Sequence, residues 1–311
     1  MQTARKVLTP EALAMLQTIA DTGSFAAAAR ALGMVPSALT YRVRQMEDAL
    51  DVLLFDRSSR QAVATQAGLE LLREGERLLQ EIDAVANRVK RVATGWEPQF
   101  TIAVDAIIAK ATVMELCERF LEGAPPTRIR LRDETLSGTL EALTSGQADL
   151  ALGVADMTQN IGLHGQLLGE VRFVFAVAPH HPLAASNEPL CDEELRQHRA
   201  VAVADTISRG RGMSIGLLGG QDVLTVATMQ DKLDAHIRGL GCGFLPESMV
   251  VDHLATGRLV ARNTVRAPRV VSLNYAWRAS SATPGRAMQW WLDVLGSATT
   301  RAALLQRHRG V

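Results

Sequence analysis

Arg30, Arg42, Arg44, Arg57 and Arg60 fall in one N-terminal stretch, with the hydroxyl side chains Ser37, Thr40 and Tyr41 among them. A guanidinium can donate two parallel hydrogen bonds to a guanine edge, or bond a phosphate; serine and threonine bond several base edges and discriminate less. The arginines exceed the neighbouring acids Glu47, Asp48, Asp51 and Asp56 by only one. Lys+Arg and Asp+Glu each number 33 in the whole chain, so net charge gives no field to gather a polyanion. Taken alone, the cluster is equally a solvated helix face with ordinary arginines. Its meaning depends on where the fold puts it.

Other chemistries lack their residue sets. Cys117, Cys191 and Cys242 are far apart and show no CxxC spacing, against a disulfide framework or a zinc site. The seven histidines include no HExxH and no i,i+4 pair, and the rings of His180 and His181 diverge, so no metal is expected. Gly239, Gly241 and Gly243 do not match GxGxxG, and GxxxxGK[ST] is missing, so neither a cofactor nor enzymatic turnover is expected. Asp105 is the sharper case. It ends the apolar run Phe100–Val104, where an acid is costly if buried alone. It needs either a hydroxyl or amine from a ligand, or a neighbouring arginine or lysine. Arg128, Arg130 and Arg132 alternate along a strand, as one solvated or ion-paired face does.

The elements that must carry the N-terminal cluster are helices. Thr9-Pro10-Glu11 starts one, with Leu13, Leu16 and Ile19 at helical spacing. Ser24 caps a second, Phe25–Leu32, whose alanines allow close approach, and Gly33 closes it. Pro36 or Ser37 opens a third, running to Leu50 with Leu39, Val43 and Met46 on one face. Three short helices with a glycine turn before the third form a helix-turn-helix. Val52–Phe55 and Val63-Ala64 read as the strands of a wing around a polar turn.

Thr65 begins a long helix with a heptad seam: Leu71, Leu78, Val85 and Val92 in one register, Leu72, Leu79, Ala86 and Ala93 in the next, Ile82 and Val89 between. Such a stripe implies a partner, most simply a second copy meeting through Leu72, Leu79, Ile82, Ala86 and Val89; an ordinary core-facing helix is the alternative. Gly95-Trp96-Glu97-Pro98 breaks the helix. Strands are then expected at Phe100–Val104, Ile129–Arg132, Leu150–Val154, Val171–Ala178, Ala200–Ala204, Val223–Ala227 and Asn274–Arg278. Helices are expected at Ile108–Phe120, Leu136–Thr144, Met229–Leu240 and Arg286–Gln306. The alternation predicts an α/β unit with a mostly parallel sheet. The chain divides into 1–64, a linker helix 65–94, and 95–311. With 47% hydrophobic residues, no leader pattern in Met1–Leu16 and no stretch near ~18 apolar residues, a cytoplasmic protein without a membrane partner is expected.

Ser24 to Leu32, Ser37-Ala38-Leu39-Thr40, Val43, Met46-Glu47, Leu50, Leu54-Phe55-Asp56-Arg57, Arg60, Thr65 and Ala67-Gly68 follow the order and spacing of the LysR-type transcriptional regulators, which this chain resembles. The resemblance continues more weakly through Gly146–Leu152, Val177–Leu183 and Gly239–Pro246. The Gly-Trp-Glu linker and Ala202–Thr206 resemble the YhaJ-like branch, whose members respond to aromatic or quinol-type compounds. Two departures stand out: Val35-Pro36-Ser37 where many members have Ser-Gln-Pro, and Asp51 where many have glycine. The first puts the family's usual glutamine base contact in doubt here.

The resemblance implies a winged helix-turn-helix, a dimerising linker helix and a C-terminal domain of two lobes like periplasmic solute-binding proteins. Lobe one would be about 98–168 plus 268–311, and lobe two about 169–267. It implies a double-stranded DNA operator read by Pro36, Ser37, Thr40, Tyr41 and Arg44, with Ser24 and Arg42 alongside and Arg57 and Arg60 on the wing. It implies a small-molecule effector between the lobes, met by Asp105, Ala106 and Ile107, by Thr135 and Ser137, by Ala204, Asp205 and Thr206, and by Thr228 and Met229. Thr228, with Asp231 three residues on, is equally a helix cap. A homotetramer, and RNA polymerase as a further partner of an activator, also follow from the resemblance. The competing readings are an enzyme, or a solute-binding module, built on the α/β half with an accessory helical domain.

Overall fold

Two of the N-terminal helices begin where their capping residues stand. In the computed structural model, which describes residues 4–56, 62–123, 125–155, 157, 162–207, 215–267, 269–279 and 283–306, α1 (Ala4–Val7) leads into α2 (Pro10–Thr22). Thr9 Oγ1 accepts from the Ala12 amide at 3.3 Å, and Gly23 ends α2 at φ 62°. Ser24 Oγ accepts from Ala27 N at 3.4 Å to open α3 (Phe25–Ala31), and α4 is Pro36–Leu50. Ala28 and Ala29 are fully buried, so α3 lies close against its neighbours. Leu16, Ile19, Leu39, Val43, Met46, Leu54 and Phe55 complete this core. Burial of such side chains stabilises by about 1.5–3 kcal/mol each.

The expected strand Val52–Phe55 shrinks to β1 (Phe55–Asp56), paired antiparallel with β2 (Val63–Ala64). The reason is local. Asp51 turns left-handed at φ 54°, and the Leu54 amide is bound by the buried Glu47 carboxylate at 2.9 Å, so it cannot join a ladder. Arg57 and Arg60 lie outside the described residues. An L-residue in that left-handed cap is strained where glycine is not. Asp51→Gly is therefore expected to stabilise the N-terminal unit by about 0.5–1 kcal/mol, read as a higher urea midpoint by circular dichroism. An unchanged midpoint would show that the aspartate side chain compensates for its backbone.

Thr65 Oγ1 accepts from Gly68 N at 3.0 Å and starts α5 (Gln66–Thr94). The chain divides into two compact units, Met1–Val89 and Lys90–Val311.

In the second unit the order is β3 (Gln99–Asp105), α6 (Lys110–Glu122), β4 (Arg128–Glu134), α7 (Ser137–Thr144), β5 (Leu150–Val154) and β6 (Leu163–Val177). Then come α8 (Asp192–Arg196), β7 (Ala200–Val203), β8 (Val223–Val226), α9 (Met229–Ile237), β9 (Gly243–Pro246) and α10 (Glu247–Ala255). The chain ends with β10 (Val260–Arg262), β11 (Arg269–Arg278), α11 (Arg286–Gly296) and α12 (Ala298–Gln306).

The sheet runs β10-β6-β11-β5-β3-β4, with β9 also on β6 and a separate parallel pair β7-β8. It is mixed, not mostly parallel: β3 pairs parallel with β4 and β5, whereas β6, β9, β10 and β11 pair antiparallel. The long strand β6 divides its pairing between two sets of partners. Residues 163–173 of β6 pair with β11, while residues 173–177 carry β9 and β10. The apolar pattern starts β6 only at Val171, because His164-Gly165-Gln166 and Gly169 interrupt any earlier run. The expected final helix is two, broken at Ser297, whose backbone is extended. Within Gly239–Pro246, residues 243–246 form strand β9, and α8, α10 and β10 went unpredicted.

Candidate DNA-reading and effector sites

At the leading end of α4, Pro36, Ser37, Tyr41, Arg42 and Arg44 are exposed. The opposite face, Leu39, Val43 and Met46, is fixed in the core, so the polar face is presented rigidly. Val35 precedes the helix without a side-chain cap, leaving the positive end of the peptide dipoles for an anion. Two hydroxyls already have local work. Thr40 Oγ1 donates to Pro36 O at 2.9 Å, and Ser24 Oγ caps α3. Arg42 lies near Glu11, whose carboxyl is held below its ordinary value first by its own backbone hydrogen bond, then by Thr9, with Arg42 adding. Sequence reasoning passed over Val35, an exposed aliphatic beside Pro36 suited to a thymine methyl. Its signal was an apolar residue outside any helical stripe.

Along α5, Leu72 is half-buried against the N-terminal core and Leu79 is half-buried, while Ile82, Ala86 and Val89 are exposed. Leu78, Val85 and Val92 are exposed as well, so the aliphatic face stays open over its C-terminal half.

In the second unit, Asp105 is buried and answered by three donors of its own domain. Oδ1 accepts from Ile107 N at 3.0 Å; Oδ2 accepts from Leu136 N at 3.2 Å and Thr139 Oγ1 at 3.0 Å. No lysine or arginine pairs with it among the described residues. Burial raises its carboxyl to about 7, against the lowering effect of those bonds, and Asp205 adds repulsion. The bond to Leu136 matters locally, because Leu136 has φ 58°, a conformation that costs a residue with a Cβ.

Residues 134–138, where β4 gives way to α7, meet residues 205–206 after β7. Thr206 Oγ1 donates to Glu134 Oε2 at 2.7 Å and accepts from Thr135 N at 2.9 Å, while Thr206 N donates to Thr135 O at 3.3 Å. Ser137 Oγ bonds Asp205 Oδ2, and Arg132 Nε donates to the other oxygen of Glu134 at 3.0 Å. The fold thus brings Thr135, Ser137, Asp205 and Thr206 together, and adds Glu134, Gly138 and Thr139, which sequence reasoning missed. Glu134 carried the same signal as Asp105, an acid closing a strand. Ala106 N bonds Glu134 O at 2.9 Å and Ala204 N bonds Val226 O at 2.9 Å, so both act through backbone. Ile107 and Met229 are buried in the main core. Thr228 is the capping-box residue of α9: its hydroxyl donates to Asp231 Oδ2 at 2.7 Å and accepts from Asp231 N at 3.0 Å.

Gly138 permits this closeness. A Cβ there would collide with Thr206 Oγ1 and lie 2.9 Å from Glu134 Oε2. Gly138→Ala is expected to destabilise the second unit by about 1–3 kcal/mol through overpacking. Thr206→Ala should cost less alone and recover part of the loss in the double variant. Thermal unfolding of the four proteins checks this; strict additivity would separate the two residues energetically.

Two family models cover this architecture. Residues 10–69 match the bacterial regulatory helix-turn-helix protein, lysR family, and residues 93–300 match the LysR substrate binding domain. The chain is 34% identical over 284 residues to the uncharacterized HTH-type transcriptional regulator YeeY of Escherichia coli K12, covering 91% of each. It is 35% identical over 289 residues to the probable HTH-type transcriptional regulator YhaJ of the same strain, covering 92% of this chain and 95% of that one. Among solved structures, CbnR, a LysR family transcriptional regulator, superposes with a TM-score of 0.61 at 15% identity over 93% of this chain and 99% of its own. LysG from Corynebacterium glutamicum, with bound effector Arg, gives 0.51 at 23% identity over 96% and 99%. The matched domains are those of regulators, not of an enzyme. With a helix-turn-helix whose polar face is held outward and a two-lobed effector domain following it in the chain, the protein belongs to the LysR family of transcriptional regulators.

Proposed function

We propose that this LysR-type regulator reads a pseudo-palindromic operator with Pro36, Ser37, Tyr41 and Arg44 in the major groove. Arg42 and the amide end of α4 face phosphates, and Arg57 and Arg60 reach the flanking minor groove. The observation that carries this is the leading end of α4, exposed and polar on one face while Leu39, Val43 and Met46 anchor the other. The assignment of 1–64 to reading, 65–94 to dimerisation and 95–311 to sensing is part of the same reading. Two copies join along the open aliphatic face of Leu79, Ile82, Ala86 and Val89, with Leu72 at its margin, and dimers pair into tetramers. RNA polymerase is a partner where the complex activates. The protein works in the cytoplasm; among the described residues, no helix is long and apolar enough to cross a membrane.

The effector is a small molecule, of aromatic or quinol type by likeness to the YhaJ branch, held between the lobes. Asp205, Thr206, Thr135 and Ser137 bond one another across that division, so an effector exchanges its own hydrogen bonds for theirs. The resulting shift between lobe arrangements changes operator engagement. Footprinting at near-physiological salt on DNA upstream of the gene and its neighbour tests the reading. Arg44→Ala is expected to cost about 1–3 kcal/mol of specific affinity, tenfold or more, and to relax one base position in each half-site. A uniform loss on all DNA would make Arg44 a phosphate contact instead.

A further inference from the structure

Lobe two buries a cation that neither the reading end nor the lobe junction uses. The inner stripe of α9 is Met229, Lys232, Leu233 and His236. Lys232 is 8% exposed and His236 is 0% exposed. Among the described residues Lys232 has no hydrogen-bond acceptor and no acid beside it; its charged-group neighbour is the buried thiol of Cys242. Burial pushes that thiol up to about 11, so it stays neutral and supplies no counter-charge. An ammonium largely withdrawn from water and without an acceptor is unfavourable.

One turn along the helix, His236 poses the complementary problem. Its Nδ1 lies 2.9 Å from Ala176 O, and a carbonyl only accepts, so Nδ1 carries the proton. Burial keeps the ring neutral, and its Nε2 lone pair is buried with no partner. Gly243 lies along that edge: a Cβ there would sit 3.8 Å from Nε2, in ordinary contact. Residues four apart on a helix are neighbours, so a bare donor and a bare acceptor stand side by side. They lie over the seam where β7 and β9 meet through the isolated bridge Ala200–Cys242. No group of three metal-ligating side chains forms among the described residues, and an ammonium at the seam repels a cation.

We propose that Lys232 and His236 form a second small-molecule site, within lobe two, for a monoanion that carries a hydroxyl. Bicarbonate and short α-hydroxy carboxylates have that chemistry. The anionic oxygen accepts from Lys232 Nζ, and the hydroxyl donates to His236 Nε2. This site is separate from the residues that join the lobes, and it stands whether or not those residues meet an effector.

The chain has four lysines, Lys6, Lys90, Lys110 and Lys232, so carbon-13 labelling at lysine Cε gives a spectrum simple enough to follow in the full-length protein. Lys232→Met identifies its signal. Glycolate and bicarbonate, titrated against chloride at equal ionic strength, are expected to move that signal saturably, with a dissociation constant of about 1 mM. Acetate, which has no hydroxyl, is expected to bind about three- to tenfold more weakly, the worth of one net hydrogen bond. Lys110, exposed and paired with Asp133, should not move. If Lys232→Met fails to fold, His236→Gln serves: the Lys232 signal still responds, but the preference for glycolate over acetate disappears. No saturable shift with either probe, an equal shift at Lys110, or an unchanged preference in His236→Gln would each overturn the proposal.

Discussion

From about pH 4 to 6.5 the stability of the second unit is expected to change little, and Asp105→Asn is expected to turn that plateau into a rise of about 3 kcal/mol. Two buried groups oppose each other over this window. Asp105 titrates near 7 when folded against 3.8 for the ordinary group. Its folded form holds a proton that the unfolded chain has released, so its contribution is full below 3.8 and is lost as pH rises through 7. His236 is the reverse. Burial lowers it from 6.5 to about 3. The unfolded chain holds a proton that the folded ring refuses, so its contribution is full above 6.5 and is lost as pH falls toward 3.

Each effect changes stability by about 1.4 kcal/mol per pH unit where both apply, with opposite sign. Asp105→Asn removes one slope and leaves the other, and His236→Gln should uncover the opposite decline. The amide introduced by Asp105→Asn also offers an N–H where Oδ2 accepts from Leu136 N and Thr139 Oγ1, so that variant is less stable at every pH; the slope relative to wild type is what tests the assignment. Parallel pH profiles for wild type and both variants would show that neither group titrates as its burial requires.

The N-terminal unit was legible in the sequence because its signals are local. Thr9, Ser24 and Pro36 start helices within one turn of where they stand, and Gly23 ends one. The alternation of β3, β4 and β5 with α6 and α7 was legible for the same reason. What escaped depends on distant partners. The first half of β6 is polar enough to read as a loop, and it is a strand only because β11, about a hundred residues later, pairs with it. Thr206 reads as a turn residue until Glu134 and Thr135 are placed beside it. The buried stripe of α9 was visible at helical spacing, but nothing in its sequence says that Lys232 has no acid to meet. Glu97 is the clearest omission, read only as part of a helix-breaking linker.

Glu97→Ala is expected to destabilise the second unit by about 2–4 kcal/mol and to lower its thermal midpoint by roughly 5–15 °C. The carboxylate reaches the first turn of α11, accepting from Ala287 N at 3.0 Å and Met288 N at 3.4 Å. It does for a helix 190 residues away what Thr9 does locally for α2. Gly285 is required beside it, since any Cβ would collide with the carboxyl group. The segment is tied twice more. Thr127 Oγ1 donates to Glu97 O at 2.6 Å, and Arg286 N donates to Gly95 O at 2.9 Å while its guanidinium lies 5.7 Å from the Trp96 ring.

Alanine leaves buried first-turn amides without an acceptor, and that desolvation cost is larger than the net worth of the bonds themselves. Glu97→Gln keeps one acceptor oxygen and should fall between wild type and alanine. Gly285→Ala, which leaves the carboxylate intact but displaces it, should resemble Glu97→Ala. Because these bonds fix the chain where α5 ends, their loss should also shorten the protection of the 95–97 amides in hydrogen exchange, even under conditions where the unit stays folded. A midpoint within about 1 °C of wild type for Glu97→Ala, too small for the loss of a buried cap, would mean that α11 finds another acceptor and that the linker is not anchored through this side chain.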